Sequence, residues 1–132
     1  MIVDASVAFK WFALEGGSAE AYALIGREEL LAPTLLPLEV GNALWKKCQR
    51  DEIRATESFE SELAGLSMIV TIRDETPMVP RALVMANALS HPIYDCIYLA
   101  LAENEATTLV TADLRFLKAV QSSVWSQLVA AL

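Results

Sequence analysis

Apolar residues along this chain form two kinds of run that alternate. Residues 1–3, 30–32, 68–72 and 107–111 are short, nearly uniform stretches of aliphatic and β-branched side chains, the composition of strands buried on both faces. Between them lie longer segments with apolar residues at helical spacing: 5–14, 18–28, a segment opened by Pro37, 57–66 introduced by Thr56, and 80–89. A further helix follows Pro92, with Tyr94, Ile97, Tyr98, Leu101 and Ala102 on its apolar side, and residues 114–120 form a last short one. Gly16-Gly17 breaks the first helix, Ser18 is placed to cap the second, and Asp51-Glu52 reads as a turn. Pro33 suits an edge or terminal position better than mid-strand. Periodicity leaves residues 124–132 open between strand and helix. Strands alternating with helices predict an α/β domain over 1–132 with a mainly parallel sheet.

Composition adds a partner and removes a membrane. The chain is 55% apolar, and its mean hydropathy is positive. No uncharged run reaches the roughly 18 residues of a membrane span, and the MIVD start lacks a signal-peptide pattern, so a cytoplasmic location is expected. The excess of apolar residues then predicts a surface covered by a second copy or another protein. Cys48 and Cys96 lack metal spacing and read as core thiols in a reducing compartment. The net charge of −7 argues against an extended nucleic-acid surface, unless the carboxylates serve to hold cations around a local positive site.

Four carboxylates occupy equivalent places. Asp4 ends the first strand and Asp113 follows the TTLVT strand, while Glu39 and Asp95 sit in the first turns of helices that follow prolines. In a parallel sheet these places share one edge, where open α/β sheets carry their chemistry. Taken singly, each acid is also explained as a helix starter or a cap. Gathered together, four anions repel unless a cation neutralises them. Oxygen-only ligation without paired histidine or cysteine suits Mg²⁺ or Mn²⁺, and such sites activate a water for in-line attack on a phosphate. Helix N-termini at that edge would offer N–H donors to the phosphate.

The stretches MIVDAS, PLEVGNALWK, HPIYDCIYLALAE and LVTADLRF, in that order and spacing, resemble the motif set of PIN-domain ribonucleases, in particular the VapC-type toxins of toxin–antitoxin pairs. The resemblance spans essentially the whole chain. It implies a three-layer α/β/α sandwich, endonucleolytic cleavage of RNA dependent on Mg²⁺ or Mn²⁺, a homodimer, and a small antitoxin protein that blocks the site. It also implies that Asp4, Glu39, Asp95 and Asp113 are catalytic metal ligands, with Ser6 and Thr111 as hydroxyls that steady them. Some members of the family carry a second acid shortly after the fourth aspartate, whereas LRF follows Asp113 here, so a second metal position is expected to be weak or filled only with substrate present.

Other residues admit two readings each. Lys46 and Arg50 point within about 20° of Glu39 on a helical wheel, and either guide an RNA backbone or form a solvated face. Arg115 either touches phosphate or pairs with an acid. His91, the only histidine, rules out a two-histidine ribonuclease and reads as structural or capping. Phe9, Trp11, Phe12 and Trp45 read as core or dimer contacts. The rival functions are a PIN-fold binding module with a weak metal site, and phosphotransfer through an aspartyl phosphate. The latter would want a second aspartate at position 6, where this chain has Ser6, or an acceptor such as Asp74 after the third strand.

Overall fold

The computed structural model describes residues 1–54 and 58–132. Five strands among the described residues pair in the order β3-β2-β1-β4-β5, all parallel: β1 (Ile2–Val3), β2 (Leu30–Pro33), β3 (Val70–Arg73), β4 (Leu109–Thr111) and β5 (Val129–Ala131). The helices are α1 (Ala5–Ala8), α2 (Ser18–Tyr22), α3 (Leu36–Gln49), α4 (Ser58–Ile69), α5 (Val79–Leu89), α6 (Ile93–Asn104) and α7 (Leu114–Gln121). Connections run outward from β1 to β3, then return past β1 to β4 and β5. Right-handed crossovers therefore place α1–α4 on one face and α5–α7 on the other, giving three layers. The chain reverses direction between β1 and β4, so the crevice beyond their C-terminal ends is the topological switch point.

Burial on both faces explains the uniform strands. Ile2, Val3, Leu30, Leu31, Ala32, Leu109 and Val110 are all buried. Helix α6 is buried along seven consecutive residues, Cys96–Ala102, because it lies across β2, β1 and β4 while α5 covers its outer side. Full burial of each such aliphatic side chain contributes about 1.5–3 kcal/mol, so α6 is the main anchor of that face.

Several element boundaries depart from the sequence pattern. Met68 and Ile69 belong to the last turn of α4, and the strand starts at Val70, which pairs with Leu30. An apolar run carries no periodicity of its own, so the register with β2 decides where the strand begins. The first helix covers only Ala5–Ala8 before tightening to a 3₁₀ turn at Phe9–Trp11, and α2 stops at Tyr22 rather than continuing to position 28. Ser18 is not a cap: Gly17, at φ 87°, occupies that position. The Ser18 hydroxyl instead accepts from Glu15 N–H at 3.0 Å and donates to Ala13 O at 3.4 Å, closing the preceding loop. Thr107 and Thr108 precede β4. Pro33 ends an interior strand, the terminal position its missing N–H requires. The tail resolves as a 3₁₀ turn, Ser126–Leu128, followed by β5. Thr56 and Glu57, expected to open the fourth helix, lie outside the described residues.

Candidate active site

Asp4 and Asp113 emerge from adjacent strands and are held by the same kind of turn. Asp4 leaves β1 in extended conformation and caps α1, accepting from Val7 N–H at 3.1 Å and from the Ser6 hydroxyl at 2.6 Å. Asp113 leaves β4 and caps α7, accepting from Arg115 N–H at 2.7 Å and Phe116 N–H at 3.1 Å. Two hydroxyls tie these turns together. Ser6 Oγ accepts from Ala112 N–H at 2.8 Å and lies 3.3 Å from Thr111 Oγ1, which accepts from Asp113 N–H at 3.0 Å. Two N–H groups in the first turn of α7, those of Arg115 and Phe116, are thus spent on Asp113 and are not free for a phosphate.

Glu39 and Asp95 come from helices on opposite faces of the sheet. Each lies in a first turn with a proline at or beside its start, where the backbone N–H groups have no helical partners and a carboxylate is favoured. Glu39 Oε2 accepts from the Tyr98 hydroxyl at 2.6 Å, and Asp95 Oδ2 is 2.6 Å from His91 Nε2. Tyr98 is buried, and burial together with the Glu39 carboxylate raises its pKa, so it stays a donor.

The four acids line one recess of about 180 Å³, together with Ala5, Ser6 and Tyr98. Their electrostatics show that they act on one another. Burial pushes the Asp4 carboxyl up to about 6 against the Ser6 and Thr111 hydroxyls and Val7 N–H, and Asp95 adds to the rise. Burial also raises Glu39, with Tyr98 opposing and Asp95 and Asp4 adding. Burial raises Asp95 too; His91 opposes it, Asp113 adds, and the Arg115 guanidinium brings partial relief. Among the described residues, no group of three or more His, Cys, Asp or Glu side chains is arranged to hold a metal ion as it stands. Each of the four acids is satisfied by its own donor and faces the recess without closing it. The donors lining that recess are oxygens, and the one histidine is engaged by Asp95, a set that fits a hard divalent cation and not zinc.

A larger groove of about 480 Å³ continues from the recess and shares Ala5, Ser6 and Glu39 with it. Lys46, Lys47 and Arg50 line its far part along α3, with Asn42 one turn from Glu39. Lys47 pairs with Glu52, and Arg50 lies 3.9 Å from the same carboxylate, whereas Lys46 has no ion pair among the described residues. Lys10, which the sequence did not single out, borders the groove but is neutralised by Glu15 at 2.6 Å. Phe9 and Trp11 are core, with Trp11 Nε1–H donating to Ala21 O at 3.0 Å, and Phe12 packs against that core. Trp45, by contrast, is exposed beside a cleft between α3 and α4. Cys96 is buried and Cys48 half-buried, and burial raises the Cys96 thiol to about 11.

The roles of Tyr98 and His91 are not evident from sequence. Helical spacing around Asp95 carries a partial signal, since His91 and Tyr98 stand four before and three after it. Nothing local, however, indicates that Tyr98 reaches Glu39 on another helix.

The family model described as PIN domain matches residues 1–121. Ribonuclease VapC9 of Mycobacterium tuberculosis is 33% identical over 115 residues, covering 87% of each chain. Ribonuclease VapC3 of Pyrobaculum aerophilum is 28% identical over 116 residues, covering 86% of this chain and 88% of its own. The crystal structure of PAE2754 from Pyrobaculum aerophilum has the same fold, at a TM-score of 0.73 over 98% of this chain and 87% of that one, with 24% identity. Matched over nearly its whole length by that model and by these relatives, the chain belongs to the PIN-domain family, on its VapC branch.

Proposed function

We propose that the protein is a divalent-metal-dependent endoribonuclease and the toxin of a toxin–antitoxin pair. One observation carries the reading: carboxylates from positions 4, 39, 95 and 113 line a single recess, where Asp4 is pushed up to about 6 by its own burial and by its acidic neighbour. The relatives' names, ribonucleases of the VapC type, support RNA as the substrate.

Asp4, Glu39, Asp95 and Asp113 would hold Mg²⁺ or Mn²⁺. A bound ion supplies Lewis acidity, making a water nucleophilic at neutral pH and offsetting charge on the scissile phosphate. The protein's own contribution is positional. Asp4 and Asp113 are fixed by cap hydrogen bonds and by the Ser6–Thr111 hydroxyls, while Glu39 and Asp95, one from each helical layer, are fixed by Tyr98 and His91. Side chains placed for phosphate contacts are Lys46 and Arg50 along the groove and Arg115 beside Asp113, and the uncapped first turns of α3 and α6 offer backbone N–H groups at the same edge. Attack by water rather than by a ribose 2′-hydroxyl gives 5′-phosphate and 3′-hydroxyl ends.

An antitoxin partner and a homodimer follow the family. Leu38, Tyr94 and Leu114, each next in sequence to one of the acids, are exposed and offer an apolar rim that a covering protein would bury. No helix among the described residues is long and apolar enough to cross a membrane. The phosphotransfer alternative gains no support, because β3 is an edge strand and Asp74 does not line the recess. The binding-module alternative is favoured by the open ligand set. Incubating purified protein with RNA, with Mn²⁺ or with chelator, separates the two. Metal-dependent cleavage that Asp95→Asn and Glu39→Gln abolish without unfolding supports the nuclease. Metal binding without cleavage overturns it.

A further inference from the structure

We infer that His91 and Tyr98 are positioning residues for the acidic site: from one stretch of chain, they hold the carboxylates of Asp95 and Glu39 in the orientation that receives a divalent cation. The inference rests on the metal-dependent reading proposed above.

His91 is placed by the end of α5. Ser90 turns the chain at φ 50°, and His91 N–H closes back on Ala86 O at 3.1 Å. Pro92 then starts α6, so the imidazole hangs over the first turn of the helix it precedes. It is buried, and Nε2 takes Asp95 Oδ2 at 2.6 Å. The ring also packs on Phe116, with centroids 5.0 Å apart. Phe116 N–H in turn donates to Asp113 Oδ1 at 3.1 Å. One ring thereby touches both the Asp95 carboxylate and the turn that carries Asp113, two anions that repel each other.

Tyr98 lies one turn beyond Asp95 on the same helix. Its hydroxyl crosses to Glu39 on α3 at 2.6 Å and lines the recess itself. Each donor occupies one oxygen of its acid and leaves the other uncommitted among the hydrogen bonds of the site. Partners behind metal-binding carboxylates and imidazoles act in this way, and their removal typically weakens metal affinity about 10–100-fold. A residue that merely filled space would be replaceable by an apolar side chain of similar size with no change in affinity.

The test is Mn²⁺ titration by calorimetry of the full chain in its wild-type, Tyr98→Phe, His91→Leu, His91→Gln and Asp95→Asn forms, with circular dichroism to check folding. Tyr98→Phe removes only the hydroxyl and is expected to weaken Mn²⁺ binding about tenfold. His91→Leu should do the same, and His91→Gln, which restores a donor, should recover part of the loss. In the double variant with Asp95→Asn, His91→Leu should add no further loss. Wild-type affinity in folded Tyr98→Phe and His91→Leu, with Asp95→Asn impaired, overturns this inference and leaves the metal site standing. Absence of Mn²⁺ binding in the wild type overturns both. Should His91→Leu fail to fold, Tyr98→Phe and His91→Gln still decide.

Discussion

Ser6 and Thr111, 105 positions apart in the chain, bring their hydroxyl oxygens within 3.3 Å of each other at the switch point between β1 and β4. Both are hydrogen-bonded to the turns that present Asp4 and Asp113, so the separation of those two carboxylates is set by a pair of small polar side chains. Ser6→Ala would leave Ala112 N–H without its acceptor and remove a donor from a buried carboxylate. A fall in stability of about 1–3 kcal/mol in chemical denaturation is expected. Because the Ser6 hydroxyl lowers the Asp4 pKa, the same variant should also need a higher pH to bind Mn²⁺.

The shift at Asp4 fixes a pH dependence. Its carboxyl rises from 3.8 to about 6 on folding, so between those values the native state holds more proton than the unfolded state. Stability from this group is therefore present below about pH 4 and is lost as pH rises through about 6, by roughly 3 kcal/mol in all. Asp4→Asn keeps the acceptor oxygen without the charge. In metal-free buffer it should melt above the wild type at pH 7.5 and converge with it toward pH 4. A wild type that is the more stable of the two at pH 7.5 contradicts the assignment.

Charge along the groove should govern RNA affinity separately from chemistry. Lys46→Gln and Arg50→Gln are expected to raise KM while kcat at saturating RNA stays within about twofold. Removing one cation that neutralises a phosphate should flatten the plot of log affinity against log salt by about 0.7. Arg115→Gln should behave differently. It weakens phosphate binding but also removes a cation that lowers the Asp95 pKa, so its optimum pH for Mn²⁺ binding should move upward. Salt slopes identical to wild type in all three variants would return these residues to a solvated face.

Ser90 carries backbone strain that glycine would relieve. It sits at φ 50° and ψ 44°, the left-handed region in which a side chain is unfavourable. Ser90→Gly should stabilise the fold by about 0.5–1 kcal/mol, part of the relief being offset by the freer unfolded chain. The expected change in melting temperature is about 2–4 °C upward. No change, or a fall, would mean that the serine is held there by interactions that offset the strain.

Much of this architecture is legible from local chemistry. The uniform run at 30–32 and the last three residues of the run at 107–111 mark buried strands, and Pro37 and Pro92 mark helix starts. Knowing the types of element and their alternation is enough to put Asp4, Glu39, Asp95 and Asp113 on one edge, because a parallel sheet sends every strand end and following helix start the same way. Where helices stop is less legible. Met68 and Ile69 read equally well as strand or helix, and only pairing of Val70 with Leu30 separates them.

The sequence by itself thus determined the order of elements, the edge at which the acids gather and the oxygen-only character of the site, since these follow from periodicity, capping preference and residue type within a few positions. Only the tertiary structure decided how each acid is held: Tyr98 on Glu39 across 59 positions, Ser6 against Ala112 across 106, and the Arg115 and Phe116 N–H groups taken by Asp113. The reason is distance. A hydrogen bond forms within about 3 Å, and which remote side chains come that close depends on how helices from opposite layers pack over the sheet, which no local window of residues encodes.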